Sequence, residues 1–129
     1  MNFDPKPVLE ESAFFWFDEK KKEGIEFHGP DSFQYQQFEL ETGRAYAVAR
    51  RNIADEKDEE VKGQITTMVL AQAWRKSLVK IFKSASKITL GDNPVTEENA
   101  ADLFSAMSRE QIIRIGNFVS KQESFLGKQ

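Results

Sequence analysis

The most constraining segment of the chain lies near its start, where four aromatic residues follow one another at positions 14–17. An aromatic run of this kind has strong strand propensity. The polar residues 18–23 that follow it, together with Gly24, are typical of a turn, and residues 25–28 then alternate between apolar and polar side chains. The segment therefore predicts a β-hairpin.

The predicted hairpin is apolar on both of its faces. Successive strand side chains point to opposite faces, so Glu26 and His28 share one face of the second strand. One of two aromatic pairs must lie on that same face: Phe14 with Trp16, or Phe15 with Phe17. Such a hairpin needs a second cover, which is either another part of this chain or another molecule. All four aromatic residues are therefore candidate partner-binding residues: Phe14, Phe15, Trp16 and Phe17.

Two long helices are predicted after the hairpin. The first begins at an N-cap, Asp31, and runs to about residue 51 on apolar residues that recur in steps of three and four. Residues 55–60 are mostly acidic and are predicted to form the loop and first turn of the second helix. This helix carries an unbroken apolar stripe over residues 61–85. Its middle, residues 68–73, is apolar almost all round, which is typical of a helix at the centre of a core.

Two shorter helices complete the predicted fold. Thr96 is the predicted cap of the first, and Ser108 with Gln111 is a capping-box pair that opens the second. The fold class is therefore mainly α, or α+β, with about four helices and a short N-terminal β-hairpin. Residues 1–12 are predicted to be an extended or disordered arm, and residues 13–129 a single globular domain with a frayed C-terminal tail.

Composition and charge exclude several classes of protein. The chain has 129 residues and no cysteine, which excludes disulfides and thiolate zinc sites. No apolar run approaches the roughly 18 residues that a membrane span needs, so we predict no membrane partner. A net charge of -3 disfavours a generic nucleic-acid binder, because such proteins are usually basic.

No motif in the sequence predicts catalysis. The single histidine, His28, has no cysteine nucleophile to activate, and no serine lies in a G-x-S-x-G elbow. The sequence also contains no HExxH, P-loop or G-x-G-x-x-G motif. Adjacent carboxylates such as Glu59 and Glu60 do not face each other on a helix. We therefore predict a protein that is not an enzyme, with no catalytic residue, no cofactor and no metal.

The second half of the central helix carries a basic pattern. Four lysines recur in steps of four, three and four, opposite the apolar stripe, and we call them the lysine stripe: Lys76, Lys80, Lys83 and Lys87. Three interpretations stay open, namely a solvated helix face, a surface for an acidic protein partner, and a site for nucleic-acid phosphates.

The order of elements resembles the tail assembly chaperones of long-tailed bacteriophages, of the lambda-like and HK97-like kind. The resembling features are the N-terminal hairpin, residues 33–41 at the start of a helix, the apolar central helix with Trp74, and the pair Gly127-Lys128 near the end of the chain. In that family a slippery messenger sequence near the stop codon shifts the reading frame of a fraction of ribosomes. A slippery G-GGA-AAG would be translated as Gly-Lys.

The resemblance implies a non-enzymatic role in viral morphogenesis. The short protein and its frameshifted longer partner, which share the same N-terminal part, would bind the tape measure protein in the host cytoplasm. They would keep it soluble, recruit tail tube subunits, and be absent from the mature virion. A homo-oligomer suits this role, because many weak apolar contacts act together through effective concentration.

An alternative of a different class is a small nucleic-acid-binding regulator that uses the lysine stripe. Salt dependence separates the two hypotheses, because phosphate binding weakens steeply as the salt concentration rises, whereas apolar client binding does not.

Overall fold

A computed structural model of the chain describes residues 9–126. In this part of the chain the strands are β1 (Ser12–Trp16), β2 (Gly24–His28), β3 (Phe82–Ser86), β4 (Thr89–Leu90) and β5 (Asn93–Pro94). The helices are α1 (Phe33–Asn52), α2 (Glu59–Ile81), α3 (Ala100–Ala106) and α4 (Arg109–Val119). The predicted fold class, mainly α with a short N-terminal hairpin, is confirmed.

The hairpin is part of a three-stranded antiparallel sheet in the order β1-β2-β3. The prediction that the central helix continues to residue 85 is wrong, because α2 ends at Ile81 and Phe82 is already extended. Antiparallel pairing with β2 explains the change of structure, and two serine hydroxyls of β3 support it. Ser84 donates a hydrogen bond of 2.9 Å to Glu26 Oε1, and Ser86 donates one of 2.8 Å to the carbonyl of Lys22. Pairing with β2 thus overrides the local helical pattern.

The helix ends are capped by side chains at three of the four N-termini. Ser32 caps α1 by accepting a 3.1 Å hydrogen bond from the Tyr35 amide, so the predicted cap at Asp31 is wrong by one residue. The acidic segment forms the loop and first turn of α2, as predicted, and Asp58 within it caps the helix. The Ser108–Gln111 capping box is present.

The cap predicted for the third helix is wrong in position. Helix α3 begins only at Ala100, after a turn in which the Thr96 amide donates a 2.7 Å hydrogen bond to Asn99 Oδ1. The turn holds residues 96–99 outside the helix, so Thr96 does not cap it.

Trp74 lies at the centre of the core and is 2 % exposed. Its Nε1 donates a 3.1 Å hydrogen bond to Thr42 Oγ1 of α1, and its ring lies against Gly116 of α4. Helix α2 therefore packs against α1 on one side and α4 on the other. The buried hydrophobic side chains of the described residues, except that of Ala49, form one cluster, which extends from Ile25 to Phe125.

The two ends of the described chain are joined to each other. Leu9 pairs with Leu126 in an isolated antiparallel bridge, and the Glu10 amide donates a 2.7 Å hydrogen bond to the carbonyl of Phe125. The predicted fraying from residue 122 is wrong as far as residue 126, because a 3-10 turn (Gln122–Phe125) places the ring of Phe125 in the core. The first eight residues of the predicted arm, and Gly127-Lys128, lie outside the described residues.

Candidate protein-binding surfaces

The four hairpin aromatics are divided between the two faces of the sheet. Phe15 and Phe17 pack against the core, and Phe15 meets Phe118 of α4 edge-on, with 5.4 Å between ring centroids. Phe14 and Trp16 stack on each other at 4.5 Å on the opposite face. Phe14 is paired with Glu26 across the two strands. The sequence left open which aromatic pair shares the face of Glu26, and the structure shows that this pair is Phe14 with Trp16, whereas Phe15 and Phe17 pack on the core.

The face that carries this stack, which we call the outer sheet face, is defined by Phe14, Trp16, Glu26 and Ser84. Trp16 covers Gly24, where an added β-carbon would lie 2.5 Å from Trp16 Cε3. Glu26 accepts hydrogen bonds of 2.5 Å from Ser12 and 2.9 Å from Ser84. These contacts order both the aromatic stack and the carboxylate beside it, so the outer sheet face is a defined surface and not a loose one.

The lysine stripe does not form one helical face. Lys76 and Lys80 lie on α2, whereas Lys83 belongs to β3 and Lys87 follows it with a φ of 54°. Lys80 pairs with Glu41, and Lys83 Nζ lies 3.9 Å from Glu26 Oε2. The prediction of four lysines on a single face is therefore wrong, because it required a helix that continues past Ile81.

A groove of about 810 Å³ lies between α1, α2 and α3. Its floor is apolar and made of small side chains: Ala45 and Val48 from α1, Val69, Ala73 and Val79 from α2, and Ala101 from α3. We call it the three-helix groove.

The groove lies along a part of α2 that α1, α3 and α4 leave partly uncovered. The all-round apolar character of residues 68–73 predicted complete burial, yet Met68 is 49 % exposed and Gln72 is also exposed. Leu70 and Ala71 face the core, while Val69 and Ala73 line the groove. The prediction that α2 is central is right for the residues that face α1 and α4, while the part of the helix along the groove is only partly covered by the described residues.

Arg75 fixes one wall of the three-helix groove. Its guanidinium donates hydrogen bonds of 2.7 Å and 2.6 Å to the carbonyls of Phe104 and Met107, at the C-terminal end of α3. Charge-assisted bonds to terminal carbonyls satisfy groups that a helix leaves without partners. Helix α3 is thereby held against α2, and the groove is formed before any partner arrives.

The rim of the groove carries cationic side chains and one carboxylate that is already in an ion pair. Glu41 is paired with Lys80, and Arg75 is held by the two carbonyls. Arg44 and Lys76 line the groove, are exposed, and form no ion pair with any residue that the structure describes. Neither Arg44 nor the groove floor was predicted from the sequence, where the available signal was the second apolar face of α2 beyond its main stripe.

The described residues offer little acid–base chemistry. The buried Tyr35 hydroxyl donates a 2.5 Å hydrogen bond to the carbonyl of Val119. Burial, with a smaller effect from the charge of Glu39, raises the pKa of Tyr35 to about 12. This hydroxyl joins α1 to the end of α4 and stays protonated at neutral pH. Between Leu9 and Leu126 no group of three His, Asp or Glu residues is placed to hold a metal ion.

Among residues 9–126, none of the helices has the length and apolar character needed to cross a bilayer. No protein-family model, curated protein or solved structure matches this chain.

Proposed function

We propose that this chain is a non-enzymatic assembly chaperone of the phage tail type, which binds an amphipathic helix of its client in the three-helix groove. The observation that carries the proposal is the groove itself, whose apolar floor is lined by three helices and left uncovered by the described chain. An amphipathic helix that lays its apolar face into such a groove is a recurrent mode of peptide recognition.

The floor of the groove suits bulky client side chains. Ala45, Ala73 and Ala101 each contribute only a methyl group, so the space between them can accept Leu, Phe or Met side chains of a partner helix. The Arg75 bonds to α3 keep this space open, so little ordering free energy is lost when a client binds.

The proposed client is the tape measure protein, a long helical protein that would aggregate if its apolar faces stayed exposed. A homo-oligomer of this chain would coat such a client through many weak contacts. The outer sheet face, with its stacked Phe14 and Trp16, is the proposed surface for self-association. Recruitment of tail tube subunits, action in the host cytoplasm, release before the virion is complete and a frameshifted longer partner belong to the same proposal.

The geometry of the lysine stripe does not support the alternative of a nucleic-acid-binding regulator. It required four lysines on one helical face, and the lysine stripe is divided between α2, β3 and the turn after β3. Two of the four lysines are also paired with glutamates. We therefore propose the protein-binding role alone.

A binding experiment with two variants of helix α3 tests the proposal. Ala101 and Ala106 are both exposed alanines of α3, but only Ala101 lines the groove. We expect Ala101→Gln to weaken the binding of an amphipathic tape measure peptide at least about tenfold, because a polar side chain would enter the apolar floor. Ala106→Gln is the matched control and should leave the affinity unchanged. Equal affinities of both variants and the unmodified chain would contradict binding in the groove.

A further inference from the structure

We infer that the partner helix of the three-helix groove carries acidic side chains beside its apolar stripe. The inference rests on the proposed function, since it names the chemistry of the client that the groove would take. It is carried by the charges of the rim and not by the apolar floor, which would accept an uncharged helix equally well.

Two rim cations have no partner among the described residues. Arg44 of α1 and Lys76 of α2 both line the groove and are exposed, and neither forms an ion pair with residues 9–126. The single rim carboxylate, Glu41, is already paired with Lys80. The third rim cation, Arg75, adds positive charge while its hydrogen bonds go to neutral carbonyls.

The rim is therefore positive although the chain as a whole carries a net charge of -3. A positive rim attracts an acidic partner, while the net negative charge of the rest of the surface repels that partner elsewhere. Glutamate or aspartate next to the apolar stripe of a docked helix would meet Arg44 and Lys76, whereas lysine at those positions would be repelled.

The floor argues against a nucleic acid as the occupant of the groove. Phosphates would meet the rim cations, but the floor offers Ala and Val side chains and no aromatic ring for stacking a base. A helix with an apolar stripe and acidic flanks matches both parts of the groove at once.

Two designed peptides and the tape measure peptide test the inference. The designed peptides share one Leu-based helical stripe, and one is flanked by Glu and the other by Lys. Fluorescence anisotropy with the full chain at low salt should give about tenfold or tighter binding of the Glu-flanked peptide relative to the Lys-flanked one. Raising the salt to about 0.5 M should remove most of that preference, because exposed charges are screened.

Charge reversal locates the effect. The double variant Arg44→Glu/Lys76→Glu should reverse the preference between the two designed peptides. The control Lys20→Glu/Lys121→Glu makes the same change in net charge at exposed lysines outside the groove, and should keep the preference for Glu flanks.

Each outcome has a separate meaning. If the tape measure peptide binds but the designed peptides bind equally, or the Lys-flanked peptide binds more tightly, the inference is overturned and the proposed function stands. A single-stranded oligonucleotide that displaces the Glu-flanked peptide would also overturn it. If none of the three peptides binds, the proposed function fails and the inference fails with it.

Discussion

The indole of Trp74 lies directly against the backbone of Gly116, so closely that a β-carbon at Gly116 would be 2.1 Å from Trp74 Cε3. Real β-carbons do not approach other atoms at that distance, so this contact requires glycine. It sets the separation of α2 and α4 and places the Trp74 Nε1 within reach of Thr42 on α1. One aromatic residue thus fixes three helices, and with them the position of the groove on the other face of α2.

Gly116→Ala should therefore destabilise the protein, even though alanine favours helices more than glycine does. The added methyl group must displace a buried ring that also holds a hydrogen bond, and overpacking of this kind costs about 1–3 kcal/mol. Urea denaturation of the variant and the unmodified chain measures the difference in the free energy of unfolding.

Gly43 provides the matched control for Gly116. It also lies inside a helix, but a β-carbon added there meets no atom within 4 Å. We expect Gly43→Ala to stabilise the protein by about 0.5–1 kcal/mol through helix propensity alone. If Gly116→Ala also stabilised the protein, the close contact of Trp74 with Gly116 would be contradicted.

Removing the hydroxyl of Ser77 and removing that of Ser84 should change the stability of the protein in opposite directions. Ser77 Oγ is buried in α2 and finds no hydrogen-bond partner among residues 9–126, so Ser77→Ala should stabilise the protein by about 1 kcal/mol. Ser84 donates to Glu26, so Ser84→Ala should destabilise it by about 1 kcal/mol. Thermal unfolding of the two variants at one pH measures both changes in stability. A loss of stability in Ser77→Ala would show that the hydroxyl has a partner.

Stability should fall in alkaline solution because of Tyr35. The pKa of Tyr35 is raised to about 12 in the folded chain, while an unfolded tyrosine titrates near 10. Below pH 10 both states hold the proton, so stability there does not depend on this group. Between pH 10 and 12 the unfolded state loses the proton first, and stability falls by roughly 1 kcal/mol per pH unit.

Two tyrosine variants isolate this effect. Tyr35→Phe should lose the part of the alkaline slope that belongs to the buried hydroxyl. Tyr46→Phe, at a 43 % exposed position on the same helix, should keep the slope of the unmodified chain. The measurement is the free energy of unfolding at several pH values from 9 to 12, and identical slopes for the two variants would rule out the buried phenol as the cause.

Replacement by serine should affect stability differently in the two aromatic pairs of the hairpin. Phe15→Ser/Phe17→Ser removes rings that pack on the core and should cost about 3 kcal/mol or more. Phe14→Ser/Trp16→Ser removes the outer stack, so we expect a loss of about 1 kcal/mol, a preserved fold and weaker self-association. Circular dichroism and sedimentation velocity measure these effects. If both variants unfold, the outer stack is simply part of the core.

The elements that were predicted correctly are those whose signals lie within a few neighbouring residues. The hairpin follows from its aromatic run and turn, and the capping box at Ser108 follows from two side chains three residues apart. Strand β3 did not follow, because Lys83, Ser84 and Ser86 have weak strand propensity and Lys83 continues the spacing of a basic helix face. Their strand conformation is set by pairing with β2, far away in sequence, and is supported by hydrogen bonds to Glu26 and Lys22.

The candidate site was predictable only in part. The alternation of faces showed that one aromatic pair must share the face of Glu26. Which pair does so depends on the register of β1 against β2, and Phe118 of α4 then packs on the other pair. The groove could not be predicted from periodicity, because an apolar residue such as Ala73 gives the same signal under a covering helix as in an open groove. Arg44 is an exposed helical residue whose importance appears only when α1 and α2 are placed together.

Co-expression of the full tape measure protein with this chain tests the central claim most directly, with the soluble fraction of the tape measure protein as the measurement. We predict that the tape measure protein is soluble with the unmodified chain and with the Ala106→Gln control, and insoluble alone or with Ala101→Gln. A tape measure protein that stays insoluble with the unmodified chain, or is equally soluble with Ala101→Gln, would contradict a chaperone that acts through the three-helix groove.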